Sequence, residues 1–245
     1  MNKSYQGMAL AIITVAAMQS GAVFAQSKSE FSSSANVAFV NDYRFRGISL
    51  NDDKPTVQAS LTVSHESGFY LTGWGSAFSA IPGDSSEIAV YTGYQKALSE
   101  GVGVDVGVVI YLFPGDSGIN FYEVYGSVSK SFGAVTSKLG IYYAPKQGHV
   151  RAASGQKDDN VYVYGSAAWA IPNTAVSLSA QLGYENGPRI LSTGGKVDWD
   201  VGASVNALGL TWAAHYLDSD APDFRSARGK NLSKPKLFLS LSKAF

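Results

Sequence analysis

The sequence contains no cysteine, little charge and only one long apolar run. Cysteine is absent from all 245 residues, which excludes disulfide frameworks, zinc–cysteine sites and thiol nucleophiles. Only 16% of the residues are charged, and 19 Lys and Arg residues balance 19 Asp and Glu residues. This balance argues against a nucleic-acid partner, which favours a strongly basic face. No long stretch repeats apolar residues at helical spacing, so the chain is predicted to be all-β.

The apolar run lies at the amino terminus and has the form of a secretory signal peptide. Lys3 precedes the apolar residues 8–18, and Val23 and Ala25 stand three and one positions before a cleavage site. A transmembrane helix needs about 20 apolar residues, so this segment is too short to be an anchor. We predict that residues 1–25 are removed and that residues 26–245 form a single domain.

Segments in which apolar and polar residues alternate follow one another along the rest of the chain. In one of the clearest, Val57, Ala59 and Leu61 alternate with Gln58 and Ser60. Alternation with period two predicts a strand with two different faces. Twelve strands are predicted near residues 35–45, 56–64, 69–78, 86–95, 102–112, 121–130, 135–144, 160–170, 175–185, 197–206, 209–217 and 235–245.

The connections between these strands alternate between short and long. Residues 65–68 and 131–134 are short connections, whereas residues 46–55 and 145–159 are long ones that hold Pro, Asp, Lys and Gly. This alternation is typical of a transmembrane up-and-down antiparallel β-barrel of the bacterial outer membrane, with short periplasmic turns and long outside loops. Such a barrel satisfies all backbone hydrogen bonds between strands, and an even strand number places both termini in the periplasm.

The last strand ends on an aromatic residue. Leu237, Leu239 and Leu241 alternate with small or aromatic residues, and the chain stops at Phe245. A terminal aromatic after apolar residues at two-residue steps resembles the signal read by the barrel-insertion machinery, although Lys243 replaces a usual apolar residue. The alternative is an ordinary edge strand. The predicted partners are therefore this machinery through Phe245, together with outer-membrane lipid and lipopolysaccharide.

Each predicted strand has one branched or aromatic face and one face of Gly, Ser, Thr, Gln and charge. A charge at the lipid midplane costs about 2–4 kcal/mol, so the charged face is predicted to line the lumen. The predicted pore-lining residues are Asp42, Arg44, Arg46, Glu87, Asp105, Glu123, Lys138, Asp198 and Asp200. The aromatic residues predicted to form girdles at the two membrane surfaces are Tyr43, Phe69, Tyr143, Tyr184, Trp199, Trp212, Tyr216 and Phe245.

The end of the first predicted strand carries alternating aromatic and charged residues. Tyr43 and Phe45 share the parity predicted to face lipid, and Asp42, Arg44 and Arg46 share the opposite parity at the outer mouth. Two guanidinium groups beside a carboxylate suit recognition of an anionic group, because arginine offers a planar fork of donors. The alternative is that an arginine pairs with a nearby carboxylate and only stiffens the mouth.

Several local motifs resemble a known family. They are NDYRFRGISLNDDKPTVQ at 41–58, HESGFY at 65–70, WGS at 74–76, DVG at 105–107, PG at 114–115 and NFYEVY at 120–125. Together they resemble the TorF family of porins of Gram-negative bacteria, over most of the chain and most densely from 40 to 125. The resemblance implies an outer-membrane β-barrel that passes small solutes, and it does not supply a substrate.

These observations predict passive passage of small solutes or ions across the outer membrane. Cation preference is expected to be modest, because the predicted lining holds more acids than bases. The alternative is a closed barrel that acts as a structural or surface-interaction module. An outer-membrane hydrolase is disfavoured: the chain has three histidines and no Gly-x-Ser-x-Gly motif, although His215 could pair with a carboxylate. We predict no enzyme activity, no cofactor and no metal.

Overall fold

The computed structural model of this protein describes residues 30–77, 86–115, 120–148, 150, 157–189, 192–193, 195–221, 224–226 and 229–245. Twelve antiparallel strands form a closed barrel in which neighbours in the chain are neighbours in the sheet. The barrel strands are β1 (Phe31–Val40), β4 (Thr56–His65), β5 (Phe69–Ala77), β6 (Ser86–Ala97), β7 (Val102–Leu112), β8 (Phe121–Phe132), β9 (Val135–Ala144), β10 (Asn160–Ala170), β11 (Val176–Asn186), β14 (Lys196–Ala207), β15 (Leu210–Ser219) and β16 (Lys236–Ala244). Two short hairpins add β2 (Arg44–Phe45) with β3 (Ile48–Ser49), and β12 (Pro188–Arg189) with β13 (Ser192–Thr193). The fold class and the number of strands predicted from the sequence are confirmed.

Helical structure is almost absent from the part of the chain that is described. One short 3-10 turn, Ser99–Gly101, precedes β7, and no helix there is long and apolar enough to cross a membrane. The predicted signal peptide, residues 1–25, lies outside the described residues.

Eleven of the twelve predicted strands agree with the observed bounds to within two residues. The first does not: strand 35–45 was predicted, whereas β1 covers Phe31–Val40. The chain leaves the sheet at Asn41, whose side chain donates to the carbonyl of Leu237 at 2.9 Å and whose N–H donates to the carbonyl of Leu239 at 3.1 Å. The alternation of aromatic and charged residues after Val40 therefore belongs to a segment inside the barrel.

The barrel closes between the first and last strands. β1 pairs with β4 on one side and with β16 on the other, and Val37 lies opposite Lys243 in the β1–β16 ladder. The N–H of the terminal Phe245 donates to the carbonyl of Ala35 at 2.9 Å, and the N–H of Ala35 donates back at 3.2 Å. Closure removes the free strand edges through which sheets aggregate.

The two faces of the sheet differ as the alternation predicts. Leu61, Leu139 and Leu182 point outward and are 56%, 65% and 60% exposed, whereas Thr62 and Thr72 point inward and are buried. A continuous apolar outer surface of this kind is unusual for a soluble monomer and requires an apolar surrounding. The predicted girdle residues that are exposed on this surface are Phe69, Tyr184, Trp212, Tyr216 and Phe245.

The two ends of the barrel carry different connections. One end, called here the turn end, holds the short turns and both chain termini of the sheet. The other, called the loop end, is the end at which the strands joined by the longer connections stop or start; these connections are 41–55, 78–85, 113–120, 145–159, 187–195 and 220–235.

Candidate functional site in the barrel interior

The connection between β1 and β4 folds into the barrel. This inner segment, residues 41–55, forms the β2–β3 hairpin, in which Arg44 lies opposite Ser49 and Phe45 opposite Ile48. Its two turn residues, Arg46 and Gly47, have φ angles of 49° and 86°, which are typical of a tight type I′ hairpin turn. Glycine adopts this conformation freely, whereas the left-handed backbone costs a residue with a side chain about 1 kcal/mol. Arg46 keeps this conformation because its side chain is bound to Glu123 and Glu185.

The Arg46 guanidinium is held by the opposite wall of the barrel. It donates to Glu185 Oε1 at 2.7 Å and to both carboxylate oxygens of Glu123 at 2.9 and 3.1 Å. It also lies over the rings of Tyr162 and Tyr142, at 4.1 and 5.4 Å from their centroids. Here the four wall residues Glu123, Glu185, Tyr142 and Tyr162 are called the guanidinium cage.

The cage lies on four consecutive strands, β8, β9, β10 and β11. In a ring of twelve strands these are on the far side from β1 and β4, where the inner segment begins and ends. The inner segment therefore crosses the whole width of the bore.

Buried charges around the cage form one network. Lys196 donates to the carbonyl of Arg46 at 2.7 Å and lies 3.0 Å from Glu185 Oε2 and 3.6 Å from Asp198 Oδ2. Burial lowers the pKa of Arg46, but Glu123 and Glu185 outweigh this effect and hold that pKa well above its usual value. The guanidinium therefore stays charged. Breaking one side of a buried ion pair typically costs about 3–5 kcal/mol, so this network fixes the inner segment firmly.

A second cluster stabilises the base of the inner segment. Arg44 donates to Asp42 Oδ2 at 2.8 Å and to Asp53 Oδ1 at 3.0 Å, and Ser49 Oγ donates to Asp42 Oδ1 at 2.7 Å. Burial raises the pKa of Asp42 to about 6, although the bonds from Ser49 and Arg44 act in the opposite direction. For Asp53, hydrogen bonds from Lys230 and Arg44 outweigh partial burial and lower the pKa.

The connection before β16 covers the inner segment from the loop end. The carbonyl of Leu232 accepts from the N–H of Ser49 at 2.9 Å, and Leu232 is fully buried. Lys230 lies 3.0 Å from Asp53 Oδ2 and donates to the carbonyl of Asp52 at 2.9 Å. Two long connections thus pack together inside the mouth.

The apolar side of the inner segment packs against an aromatic part of the wall. Its Tyr43, Phe45, Ile48 and Leu50 are buried in one cluster with side chains from β5 to β8. The wall members of this cluster are Tyr70, Trp74, Ala89, Tyr91, Val109, Tyr111 and Phe121. The prediction that Tyr43 and Phe45 face lipid, and that Tyr43 belongs to a girdle, is therefore wrong. Inside the barrel these side chains find a hydrophobic core that the strand pattern does not reveal.

Seven of the nine predicted lining residues are less than one-tenth exposed. Asp42, Arg44 and Arg46 lie on the inner segment, and Glu87, Glu123, Asp198 and Asp200 lie on inward faces of strands. The other two, Asp105 and Lys138, are partly exposed on the inward faces of β7 and β9. The structure thus brings Arg46, Glu123 and Asp198 into one network, while Asp105 and Lys138 lie closer to the turn end.

The turn-end half of the bore has a different lining. Many small hydroxyl and amide side chains point inward there and are partly exposed: Asn36, Ser60, Ser64, Ser127, Ser129, Thr136, Ser166, Ser177, Ser179, Gln181, Ser240 and Ser242. Other inward side chains of this half are buried: Thr62, Tyr70, Thr72, Ser204 and Thr211. Tyr70 Oη donates to Asp105 Oδ1 at 2.9 Å, and His215 Nδ1 lies 2.8 Å from Asp200 Oδ1. His215 thus pairs with a carboxylate on the neighbouring strand β14.

Four contributors to the cage network were not predicted from the sequence: Tyr142, Tyr162, Glu185 and Lys196. The alternation rule does place Glu185 on the inward face of β11, next to Gln181 and Gly183, so its parity was an available signal. The tyrosines give no such signal, because an inward tyrosine in a barrel is as compatible with simple packing as with contact to a cation.

Comparison with known proteins identifies a family. The family described as "Bacterial protein of unknown function (Gcw_chp)" matches residues 24–245. The chain belongs to this family. No curated protein matches it.

Among solved structures, the chain is similar to outer-membrane barrels. A KdgM porin aligns with a TM-score of 0.57 at 10% identity, covering 86% of this chain and 98% of that one. A NanC porin aligns with a TM-score of 0.59 at 10% identity, covering 87% and 98%. The COG4313 outer membrane channel from Pseudomonas putida F1 aligns at 0.49 with 12% identity, covering 91% and 100%. The first two support a porin-like barrel, and the more specific resemblance to the TorF family stays a prediction.

Proposed function

We propose that the protein is an outer-membrane channel for passive passage of small solutes or ions, closed at its loop end by the inner segment. The observation that supports this is the lining of the turn-end half. Many of its small hydroxyl side chains, such as Ser127 and Ser177, are partly exposed, whereas a barrel built only for stability would fill its interior with packed side chains.

In this proposal the turn end faces the periplasm and the loop end faces outward, as in other outer-membrane barrels. The apolar belt contacts outer-membrane lipid, and the long connections meet lipopolysaccharide. Phe245, paired with Ala35 at the closing seam, is proposed as the residue that the barrel-insertion machinery reads.

Passage requires the inner segment to move. Arg46 must leave Glu123 and Glu185, and the apolar side of the hairpin must separate from the aromatic wall. The hydrogen bond from Lys196 to the Arg46 carbonyl and the bond from the Ser49 N–H to the Leu232 carbonyl must also break. None of these contacts is a ladder hydrogen bond of the barrel sheet, and the ladder between β1 and β4 does not include residues 41–55. The segment can therefore undock while the sheet stays closed.

A closed structural or surface-interaction barrel is the second candidate. It is favoured by the burial of seven of the nine predicted lining residues, since a side chain that water does not reach lines no open pore in this conformation. An outer-membrane hydrolase has less support, because no atom of the described residues forms a hydrogen bond with His215 Nε2, and a serine hydrolase needs a hydroxyl nucleophile at that nitrogen.

Excision of the inner segment separates the two candidates. Val40 and Thr56 are direct partners in the β1–β4 ladder, so residues 41–55 can be replaced by Asn-Gly, the preferred two-residue hairpin turn. In planar bilayers the excised barrel is expected to conduct steadily, and the wild type to show brief or small steps. Liposome swelling with small sugars and amino acids should follow the same order.

Heat-modifiable migration on a gel is the control that the excised variant is folded. A folded variant that passes no current and gives no swelling would contradict the channel and support the closed barrel.

A further inference from the structure

The cage is built to hold a guanidinium group. Two carboxylates supply three acceptor contacts to Arg46, between 2.7 and 3.1 Å, and the rings of Tyr142 and Tyr162 face the same cation. Charge-assisted hydrogen bonds to carboxylates and stacking on aromatic rings are interactions that a planar guanidinium makes well. The faces of the two aromatic rings attract the cation as well.

The wall positions the carboxylates without help from Arg46. Tyr111 Oη donates to Glu123 Oε2 at 3.1 Å, and Asn160 Nδ2 donates to Glu185 Oε1 at 3.0 Å. Lys196 holds the other oxygen of Glu185 at 3.0 Å. All three partners belong to barrel strands, so the site keeps its shape when the inner segment leaves.

The charge around the cage requires a cation. With Arg46 in place, two cations, Arg46 and Lys196, lie among three carboxylates, Glu123, Glu185 and Asp198. When Arg46 leaves, Lys196 alone remains beside these three carboxylates. A buried imbalance of this size favours uptake of another cation.

We propose that the guanidinium cage is a binding site for solutes that carry a guanidinium group, and that Arg46 occupies it as a tethered internal ligand. A solute of this class takes the place of Arg46 and so releases the inner segment. The inference rests on the proposed function only for this release, because binding to the cage is measured separately from conduction.

Tethering sets the concentration at which a solute competes. A side chain on a short connection acts at an effective concentration in the millimolar range. A free guanidinium compound must therefore exceed millimolar concentration to displace Arg46 from the wild type, and binds more readily when Arg46 is absent.

The test uses Arg46→Asn. Asparagine tolerates the positive φ of this turn position, so the hairpin keeps its preferred shape and loses only the guanidinium. The probe is methylguanidinium, which is the end of the arginine side chain. N-methylurea, a neutral molecule of similar shape, and sodium chloride at equal ionic strength are the matched controls.

Two readouts are measured on the purified barrel. Methylguanidinium at millimolar concentration is expected to raise the thermal unfolding midpoint of Arg46→Asn in a saturable way, and to reduce its current in planar bilayers. Neither control should do so. The variant that combines Arg46→Asn with Glu123→Gln and Glu185→Gln should not respond. The wild type should need at least about tenfold more methylguanidinium, and its current should rise, because the solute releases the inner segment.

The inference is overturned if methylguanidinium acts no better than N-methylurea, or if the variant without the carboxylates responds equally. Should Arg46→Asn fail to fold, Arg46→Gly provides the same test, because glycine also adopts positive φ. A saturable midpoint shift in a barrel that never conducts would support the cage and contradict the channel.

Discussion

The two halves of the bore differ in the side chains that fill or line them. Near the loop end, the interior is packed: charged side chains such as Arg46 and Glu123 are almost fully buried, and an aromatic cluster surrounds the hairpin. Near the turn end, many inward side chains are short, polar and partly exposed, although Tyr70, Thr72 and Thr211 are buried there. Strands of one alternating pattern form both halves, so the difference comes from the inner segment. The packed half depends on the inner segment and on the connection before β16 that covers it, whereas the polar lining belongs to the sheet.

The largest expected effect comes from removing the side chain that joins the inner segment to the far wall. Arg46→Asn removes three charge-assisted hydrogen bonds, a loss on the order of 3 kcal/mol. It is expected to raise the open probability in planar bilayers by about 100-fold. Arg225→Asn, the same change at an exposed loop residue, should behave as the wild type. Equal currents in both variants would mean that the contacts of Arg46 with Glu123 and Glu185 do not close the bore.

The two cage carboxylates should differ in their effect on stability. Glu185 pairs with both Arg46 and Lys196, whereas Glu123 pairs with Arg46. Glu185→Gln is therefore expected to lower the free energy of unfolding by about 2 kcal/mol more than Glu123→Gln. Urea titrations of the two refolded variants measure this difference. Identical losses would show that Lys196 gains nothing from Glu185.

Acid should strengthen docking of the inner segment. Burial raises the pKa of Asp42 to about 6 in the docked segment. When the segment is released and hydrated, this pKa returns to its ordinary value of 3.8. The docked state therefore binds a proton more tightly, so docking strengthens as the pH falls through about 6 and gains nothing further below 3.8. Between pH 7.5 and 5 the open probability is expected to fall by up to about tenfold. Asp42→Asn should remove this dependence, and an opening at low pH would contradict it.

The smallest expected effect concerns the turn-end half, where Asp105 and Lys138 are partly exposed. In the excised barrel, Lys138→Gln should shift the reversal potential toward cations, and Asp105→Asn should shift it toward anions. Each shift corresponds to about a twofold change in permeability ratio, because water screens charges in an open lumen. Ser166→Ala, an uncharged change on the same inward face, is the control. Reversal potentials that do not move would place the conducting path away from both residues.

Much of the barrel could be predicted from the sequence, because one rule governs it. The period-two pattern that separates lipid from lumen fixed strands such as 102–112 and 160–170 to the residue. The rule fails after Val40, where Tyr43 and Phe45 continue the same alternation but lie inside. Alternation distinguishes two faces, and it cannot distinguish lipid from an internal aromatic cluster.

The ion-pair network inside the barrel could not be predicted from the alternation of apolar and polar residues. Arg46 meets Glu123 and Glu185, which are distant along the chain and lie on strands across the barrel. Such pairs depend on barrel circumference and on the path of a loop, and neither is encoded in local periodicity. Within the inner segment, Gly47, Asp52 and Asp53 are residues typical of turns, and all three have positive φ.

The separation of the two halves is tested most directly by labelling from outside the cell. The chain has no cysteine, so Ser166→Cys places a single thiol in the turn-end half, and Lys54→Cys places one at the exposed loop end as a control. A membrane-impermeant thiol reagent added to intact cells should label position 54 quickly in the full chain and position 166 slowly. Replacing residues 41–55 by Asn-Gly should make labelling of position 166 fast. Fast labelling of position 166 with the inner segment in place would contradict closure, and slow labelling after its removal would contradict an open passage beneath it.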